Sequence, residues 1–335
     1  MMSFKATSVK FGVFLVPIAL FALWNLCQFQ FLSAAVTLVI AAVIGWEIYT
    51  KLRHFSLRGR TCLITGGAAG IGYNLAKALV YRNVNVILWD RDAQKLDVVV
   101  KKLRQKAPHA KVTGRAVDVR NHDDIKCAAD EIRAAGIDLS VIINCAGVAA
   151  GNLIQNTTVR EIDHQLDVNL KGVMFTSREF LTDLFEHSSG TMIVSICSLM
   201  GCMGAEKLSA YSASKHGLFG FHASLRQELR HSNVRTLLVC PSLVSTGMFE
   251  GAFAKCSLLQ YILHNYISPP ICPRSLANSI VSDMENCVRP VVYYPFWTVW
   301  MVAVLAFLPQ FLSDEIVALA GGSGSMEGFR GHGRE

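Results

Sequence analysis

Thr65-Gly66-Gly67-Ala68-Ala69-Gly70-Ile71-Gly72 is the stretch on which the fold turns. It follows an apolar, β-branched run, Thr61–Thr65, and opens a helical pattern, Ile71–Arg82. Gly66 permits a tight turn, Gly70 lets the backbone approach a pyrophosphate, and Gly72 allows close packing of helix on strand. The helix N-terminus at Ile71 then turns free N–H groups and a positive dipole end toward the phosphates. Asp90 ends the next predicted strand, 18 residues after Gly72. Its carboxylate can accept hydrogen bonds from ribose 2′- and 3′-hydroxyls and would repel a 2′-phosphate, so NAD is favoured over NADP. Arg91 is the one competing feature, since a guanidinium there could contact a phosphate.

Outward from this turn, strand and helix patterns alternate. Residues 84–89, 111–117, 139–144, 191–195, 235–240 and 291–294 read as further strands. Helical patterns fall over 71–82, 93–106, 123–135, 159–186, 210–230 and 273–286. Apolar strands separated by helices imply a parallel sheet covered on both faces. The fold class is therefore α/β, a Rossmann-type doubly wound sheet. With no internal repeat or low-complexity linker, one domain over 61–312 is the economical reading.

Tyr211-Ser212-Ala213-Ser214-Lys215 supplies candidate chemistry. Residues i and i+4 share a helix face, so Lys215 can sit beside Tyr211. A phenol titrates near 10 and is a poor base at neutral pH. A neighbouring ammonium and a cationic nicotinamide would both favour the phenolate.

Taken together, these motifs resemble the short-chain dehydrogenase/reductase family over about residues 57–295. TGGAAGIG matches the family's cofactor loop, and Asn144-Cys145-Ala146-Gly147 its strand-end motif, with Cys145 in place of an asparagine. Asp118-Val119 matches its adenine-contacting pair and Asn169 its catalytic asparagine. Ser198, 13 residues before Tyr211, matches its catalytic serine. Pro241-Ser242 departs from the usual Pro-Gly and precedes Thr246, a further cofactor contact. The resemblance implies that Tyr211 takes the alcohol proton and Ser198 holds the alcohol oxygen. Lys215 would lower the Tyr211 pKa and hold the nicotinamide ribose, and Asn169 would anchor a relay water. Relatives often dimerise through their two long helices, so the resemblance leaves both a monomer and a homodimer open. Cys197 alternates away from Ser198, and His216 cannot share a face with both Tyr211 and Lys215.

Within the family the chain is most similar to membrane-associated retinol and 17β-hydroxysteroid dehydrogenases, by its apolar N-terminus, Leu88-Trp89-Asp90 and the tail from Ser325 to Gly331. Retinol is the first substrate expected; a steroid, sterol or fatty alcohol is the alternative. Residues 247–272 would form an apolar substrate lid, and Met200, Met203, Met248 and Phe249 could line the pocket. The contrasting reading is a membrane or lipid-droplet scaffold that kept the fold and lost turnover.

Composition agrees. Of 335 residues, 52% are hydrophobic and 17% charged, against about 25% charged in soluble domains. The deficit lies at the ends. Phe11 to Trp46 carries no charge, and neither does 291–313. The first run is long for one membrane span and short for two, so one tilted span and a hairpin both remain open for an anchor over 1–50. Lys51, Arg53, Arg58 and Arg60 form a basic juxtamembrane linker at 51–60, as expected on a cytoplasmic face. The resemblance places the enzyme on endoplasmic reticulum or lipid droplets, in contact with membrane lipid. Residues 296–308 are too short to span and would lie on the membrane or cover the substrate cleft, leaving 313–335 as a tail. The net charge of +7 comes with no second basic stripe, which argues against nucleic-acid binding. The ten cysteines have no zinc spacing, so no metal is expected.

Overall fold

The structure is a computed structural model, and it describes residues 16–22, 38–45, 54–249, 269–287 and 289–319. The chain divides into two compact units, residues 1–55 with 286–288, and residues 56–285 with 289–335. In the first, residues 16–22 and 38–45 are helical, and the rest of the expected anchor lies outside the described residues. Among the described residues no helix is long and apolar enough to cross a membrane.

The second unit is built on seven strands: β1 (Thr61–Thr65), β2 (Asn85–Asp90), β3 (Val112–Ala116), β4 (Leu139–Asn144), β5 (Thr191–Ile196), β6 (Val234–Pro241) and β7 (Val291–Tyr294). They pair in the order β3-β2-β1-β4-β5-β6-β7, all parallel. The doubly wound α/β sheet expected from the sequence is thus present. Order reverses between β1 and β4, and such reversals open a crevice beyond the strands' C-terminal ends.

Helices cover both faces. Helices α1 (Gly70–Val80) and α2 (Ala93–Lys106) follow β1 and β2. Helix α3 (His122–Ala134) follows β3. Between β4 and β5, α4 (Val159–Leu166) runs through a π-turn (Asp167–Lys171) into α5 (Gly172–Glu186). Helix α6 (Ser209–Glu228) precedes β6, and α7 (Pro273–Asn286) precedes β7. Helices α3, α5 and α6 bury Ile125, Ala128, Ile132, Phe180, Leu184 and Leu225 against Leu63, Trp89, Ile142 and Ile193 of the sheet. On the opposite face Arg82, just past α1, reaches Asn278 and Glu285 on α7.

The single helix expected over 159–186 is interrupted by the π-turn, where one wider turn adds a residue and rotates the register. After β7 the chain forms α8 (Thr298–Phe307) and α9 (Gln310–Val317). The domain boundary expected at 312 therefore falls inside a helix. The Ser313 hydroxyl donates to the Leu305 carbonyl at 2.8 Å, tying α9 to α8.

Candidate active site

The glycine turn sits against the end of β4. Gly66 and Gly70 take φ of +69° and +53°, which L side chains rarely adopt. A Cβ on Gly66 would lie 2.8 Å from Ala146 Cα, and one on Gly72 would collide with the Gly66 carbonyl oxygen. The Thr65 hydroxyl accepts N–H groups from both Cys145 (3.1 Å) and Ala146 (3.2 Å), fastening the end of β1 to the loop after β4. Helix α1 begins without a capping side chain and without an acid in its first turn. Its leading N–H groups, around Ile71 and Gly72, are thus left for an anion. Thr246 faces the turn, with Cγ2 3.5 Å from where a Gly70 Cβ would be.

Asp90 ends β2 and is half-buried. Its oxygens accept the N–H groups of Ala68 (3.0 Å) and Asp92 (3.1 Å). Each carboxylate oxygen retains a lone pair for a hydroxyl donor. Beside it lies an open depression of about 480 Å³ lined by Arg91, Ala116, Asp118, Arg120 and Asp124. An uncapped helix end, a turn with no room for a side chain and a carboxylate at the second strand end fit a dinucleotide.

Three expected cofactor residues are placed differently from a simple side-chain contact. The Asp118 carboxylate is forked by the Arg120 guanidinium at 2.6–3.0 Å. Its pKa is lowered; burial pushes it up, but the hydrogen bonds and charge of Arg120 prevail. Val119 is buried, and a Cβ on Gly172 would stand 2.9 Å from its Cγ2. The Asn144 amide donates to Ser177 on α5 at 3.1 Å, so that side chain serves the sheet–helix layer.

The four expected catalytic residues converge beyond β4 and β5. Lys215 and Tyr211 lie on α6, each 4% exposed. Lys215 Nζ donates to the carbonyl of Ile196, the last residue of β5, at 3.0 Å. It lies 5.8 Å from the Tyr211 ring centroid. Ser198 caps the short turn Leu199–Gly201, accepting the Met200 N–H at 3.2 Å. Asn169 sits in the π-turn, fully buried. Its oxygen accepts the Val148 N–H at 2.8 Å, and its amide donates to the Val148 carbonyl (2.9 Å) and the Ser214 hydroxyl (3.0 Å). A Cβ on Gly147 would enter the space between Asn169 Oδ1 (3.4 Å), Met248 Cε (3.8 Å) and Lys215 Nζ (3.9 Å).

The electrostatics amend one expectation. Burial pushes the Tyr211 phenol above its usual range, and the group that opposes this is the Ser198 hydroxyl. Burial likewise pushes the Lys215 ammonium down. Lys215 is not among the groups that offset this burial at Tyr211; positive charge beside a phenol favours its phenolate.

Sequence reasoning missed Ser214, fully buried, whose hydroxyl donates to the Tyr211 carbonyl at 2.6 Å while accepting from Asn169. Its position three residues after Tyr211 was the available signal. Thr65 and Gln165, whose Oε1 accepts the Ala150 N–H at 3.1 Å, gave none. Ala149, Leu208 and Tyr211 pack with Met200, Ala205 and Met248 into an apolar wall. His216 Nδ1 contacts the Ser212 carbonyl at 2.9 Å, within its own helix. Most of the expected lid, residues 250–268, and the 325–331 motif lie outside the described residues.

The chain is similar to known proteins in sequence and in fold. Residues 60–257 match the short chain dehydrogenase family. Retinol dehydrogenase 10-B of Danio rerio is 28% identical over 284 residues, covering 78% of this chain and 83% of its own. Short-chain dehydrogenase/reductase family 16C member 6 of Bos taurus is 30% identical, over 73% of this chain and 77% of its own. A short chain dehydrogenase/reductase from Burkholderia phymatum, solved in complex with NAD, shares the fold with a TM-score of 0.65 at 23% identity, covering 75% of this chain and 94% of its own. The strand order, the glycine turn and the extent of the family match lead to one conclusion: the chain belongs to the short-chain dehydrogenase family.

Proposed function

We propose that the protein is a membrane-attached, NAD-dependent oxidoreductase that oxidises a lipophilic alcohol, with retinol the first candidate. The observation that carries this reading is the convergence of Ser198, Tyr211, Lys215 and Asn169 next to a turn shaped for a dinucleotide. Bound NAD would accept the hydride from the alcohol carbon. Tyr211, as phenolate, takes the hydroxyl proton. Ser198 donates to the same oxygen and fixes its distance from the phenol. Lys215, held by the Ile196 carbonyl, supplies positive charge and ribose contacts. Asn169 holds the Val148 backbone and Ser214, and through Ser214 the helix turn that carries Tyr211. Asp90 favours NAD by opposing a 2′-phosphate.

The apolar wall beside Tyr211 suits a lipid-soluble alcohol, and the retinol dehydrogenase relative points to retinol among such alcohols. Membrane attachment is supported by the uncharged N-terminal run and by the segment from β7 into α8 and α9, which leaves Phe296 (71%), just before α8, and Trp300 (69%), Phe307 (91%) and Phe311 (67%) on the helices exposed. Exposed aromatics on helices too short to span suit the headgroup layer. By its subgroup, the enzyme would reside on endoplasmic reticulum or lipid droplets, facing the cytosol.

The test is NADH fluorescence on addition of retinol or oestradiol to detergent-solubilised protein, with NAD and NADP in parallel. Tyr211→Phe, which keeps the packing, is expected to lower the rate by roughly 10²–10⁴-fold. A near-wild-type rate in that variant overturns the mechanism.

A further inference from the structure

Helix α4 buries an amide where packing alone would call for an apolar side chain. Gln165 is 1% exposed, in the last turn of α4 before the π-turn. A buried amide is unfavourable unless it is hydrogen-bonded, and both ends of this one are engaged. Its Nε2 donates to the Glu161 carbonyl, one turn back in the same helix, at 3.2 Å, and its Oε1 accepts the Ala150 N–H at 3.1 Å. The first bond requires the nitrogen and the second the oxygen, so the amide has one orientation. Four residues on, Asn169 engages the same loop, its Oδ1 accepting the Val148 N–H at 2.8 Å and its Nδ2 donating to the Val148 carbonyl at 2.9 Å. Two buried amides thus grip the chain after β4 on either side of Ala149.

Ala149 is buried and packs with Leu208 and Tyr211, against Met200, Ala205 and Met248. Beyond it the loop runs to Asn152, whose N–H donates to the Lys207 carbonyl at 2.9 Å. Lys207 takes φ of +63°, a conformation uncommon outside glycine. On one side, therefore, the loop is tied to α4 and the π-turn. On the other it is tied to the segment that enters α6 and leads to Tyr211.

We propose that Gln165 is a positioning residue for the alcohol: by holding the Ala150 N–H it keeps Ala149 in the apolar wall beside Tyr211, a role that rests on the alcohol oxidation proposed above. Loss of the amide frees the loop at Ala150 while Asn169 still holds Val148. The damage is then confined to the wall. The alcohol binds less well, whereas the glycine turn, Tyr211 and Lys215 keep their places. A side chain needed only to fill space would show no such division, because methionine fills nearly the same space.

The test compares full-length, detergent-solubilised wild-type protein with Gln165→Met, which keeps length and volume. Gln165→Asn, which draws the amide back by one methylene, is the second removal, so the outcome does not hang on one variant folding. Hydrogen exchange, read by mass spectrometry on peptides spanning 148–152, should show Ala150 protected in the wild type and exchanging roughly tenfold faster in either variant. With whichever lipophilic alcohol yields NADH, both variants should show a KM for the alcohol roughly tenfold higher. Their kcat should stay within about threefold, and their NADH dissociation constant within about twofold, of wild type. Equal exchange at Ala150 in wild type and variants overturns the grip. A loss of kcat or of NADH affinity as large as the change in KM overturns the assignment to the alcohol. A wild-type protein that oxidises no lipophilic alcohol removes the function proposed above and the substrate role with it, while the exchange pattern still decides the grip on Ala150.

Discussion

His222 should make the fold sensitive to mild acid. It lies on α6, 1% exposed, beneath the face that carries Tyr211 and Lys215. Its Nδ1 meets the Ser195 hydroxyl on β5 at 3.3 Å, and among the described residues its Nε2 has no hydrogen-bond partner. Burial, aided by the positive charge of Arg226 one turn on, pushes the imidazole from 6.5 down to about 4. The unfolded chain takes up this proton before the folded chain does, so stability is full above the unfolded pKa and declines as pH falls toward the folded one. At about 1.36 kcal/mol per pKa unit, the whole effect is about 3 kcal/mol. By pH 5, about 2 kcal/mol of it is lost relative to pH 7.5. For a domain of this size that is a fall in Tm of roughly 4–8 °C. The assay is thermal unfolding of wild-type and His222→Gln protein at the two pH values; glutamine keeps a polar contact for Ser195 but does not titrate. The variant should lose less Tm on acidification by about that difference. Equal losses in both proteins would refute the argument, because acid sensitivity would then lie elsewhere.

Gly72→Ala places a methyl group against the Gly66 carbonyl oxygen; stability should fall by about 1–3 kcal/mol, read as a lower Tm, with weaker NADH binding by fluorescence. Asp90→Ala should weaken NADH binding by roughly tenfold, a charged hydrogen bond being worth about 1.5–3 kcal/mol. It should weaken NADPH binding much less, and equal losses for the two cofactors would remove Asp90 from the choice between them.

Much of the fold was legible because parallel strands buried on both faces must be continuously apolar and β-branched. Val86–Trp89, Val141–Ile143 and Val291–Tyr294 could hardly be read otherwise. Helix bounds at Ala93–Lys106 and Pro273–Asn286 were equally clear, the first opened by Asp92, whose side chain accepts the Lys95 N–H. The π-turn was not legible. Asp167-Val168-Asn169-Leu170-Lys171 suits an ordinary helix, and the forces that turn Asn169 inward come from Val148 and Ser214, distant in sequence. In the site, the side chains that project from regular elements, Tyr211 and Lys215, were readable by spacing. Positions whose use depends on a partner were not. The Asn144 amide is held by Ser177 and the Asp118 carboxylate by Arg120, contacts that no local sequence pattern announces. The balance of burial against charge at Tyr211 also has no sequence signature, since i and i+4 spacing brings two groups together without saying how dry the site is.

The hydroxyl of Thr65 fastens two loops that the chain reaches 80 residues apart. One loop would hold the dinucleotide; the other, through Gly147 and Val148, adjoins Asn169 and Lys215. Free energy released in tightening the first is therefore shared with the second. Cofactor affinity and the alignment of the proton-transfer groups are then expected to be linked, so that a change at either loop is felt at both.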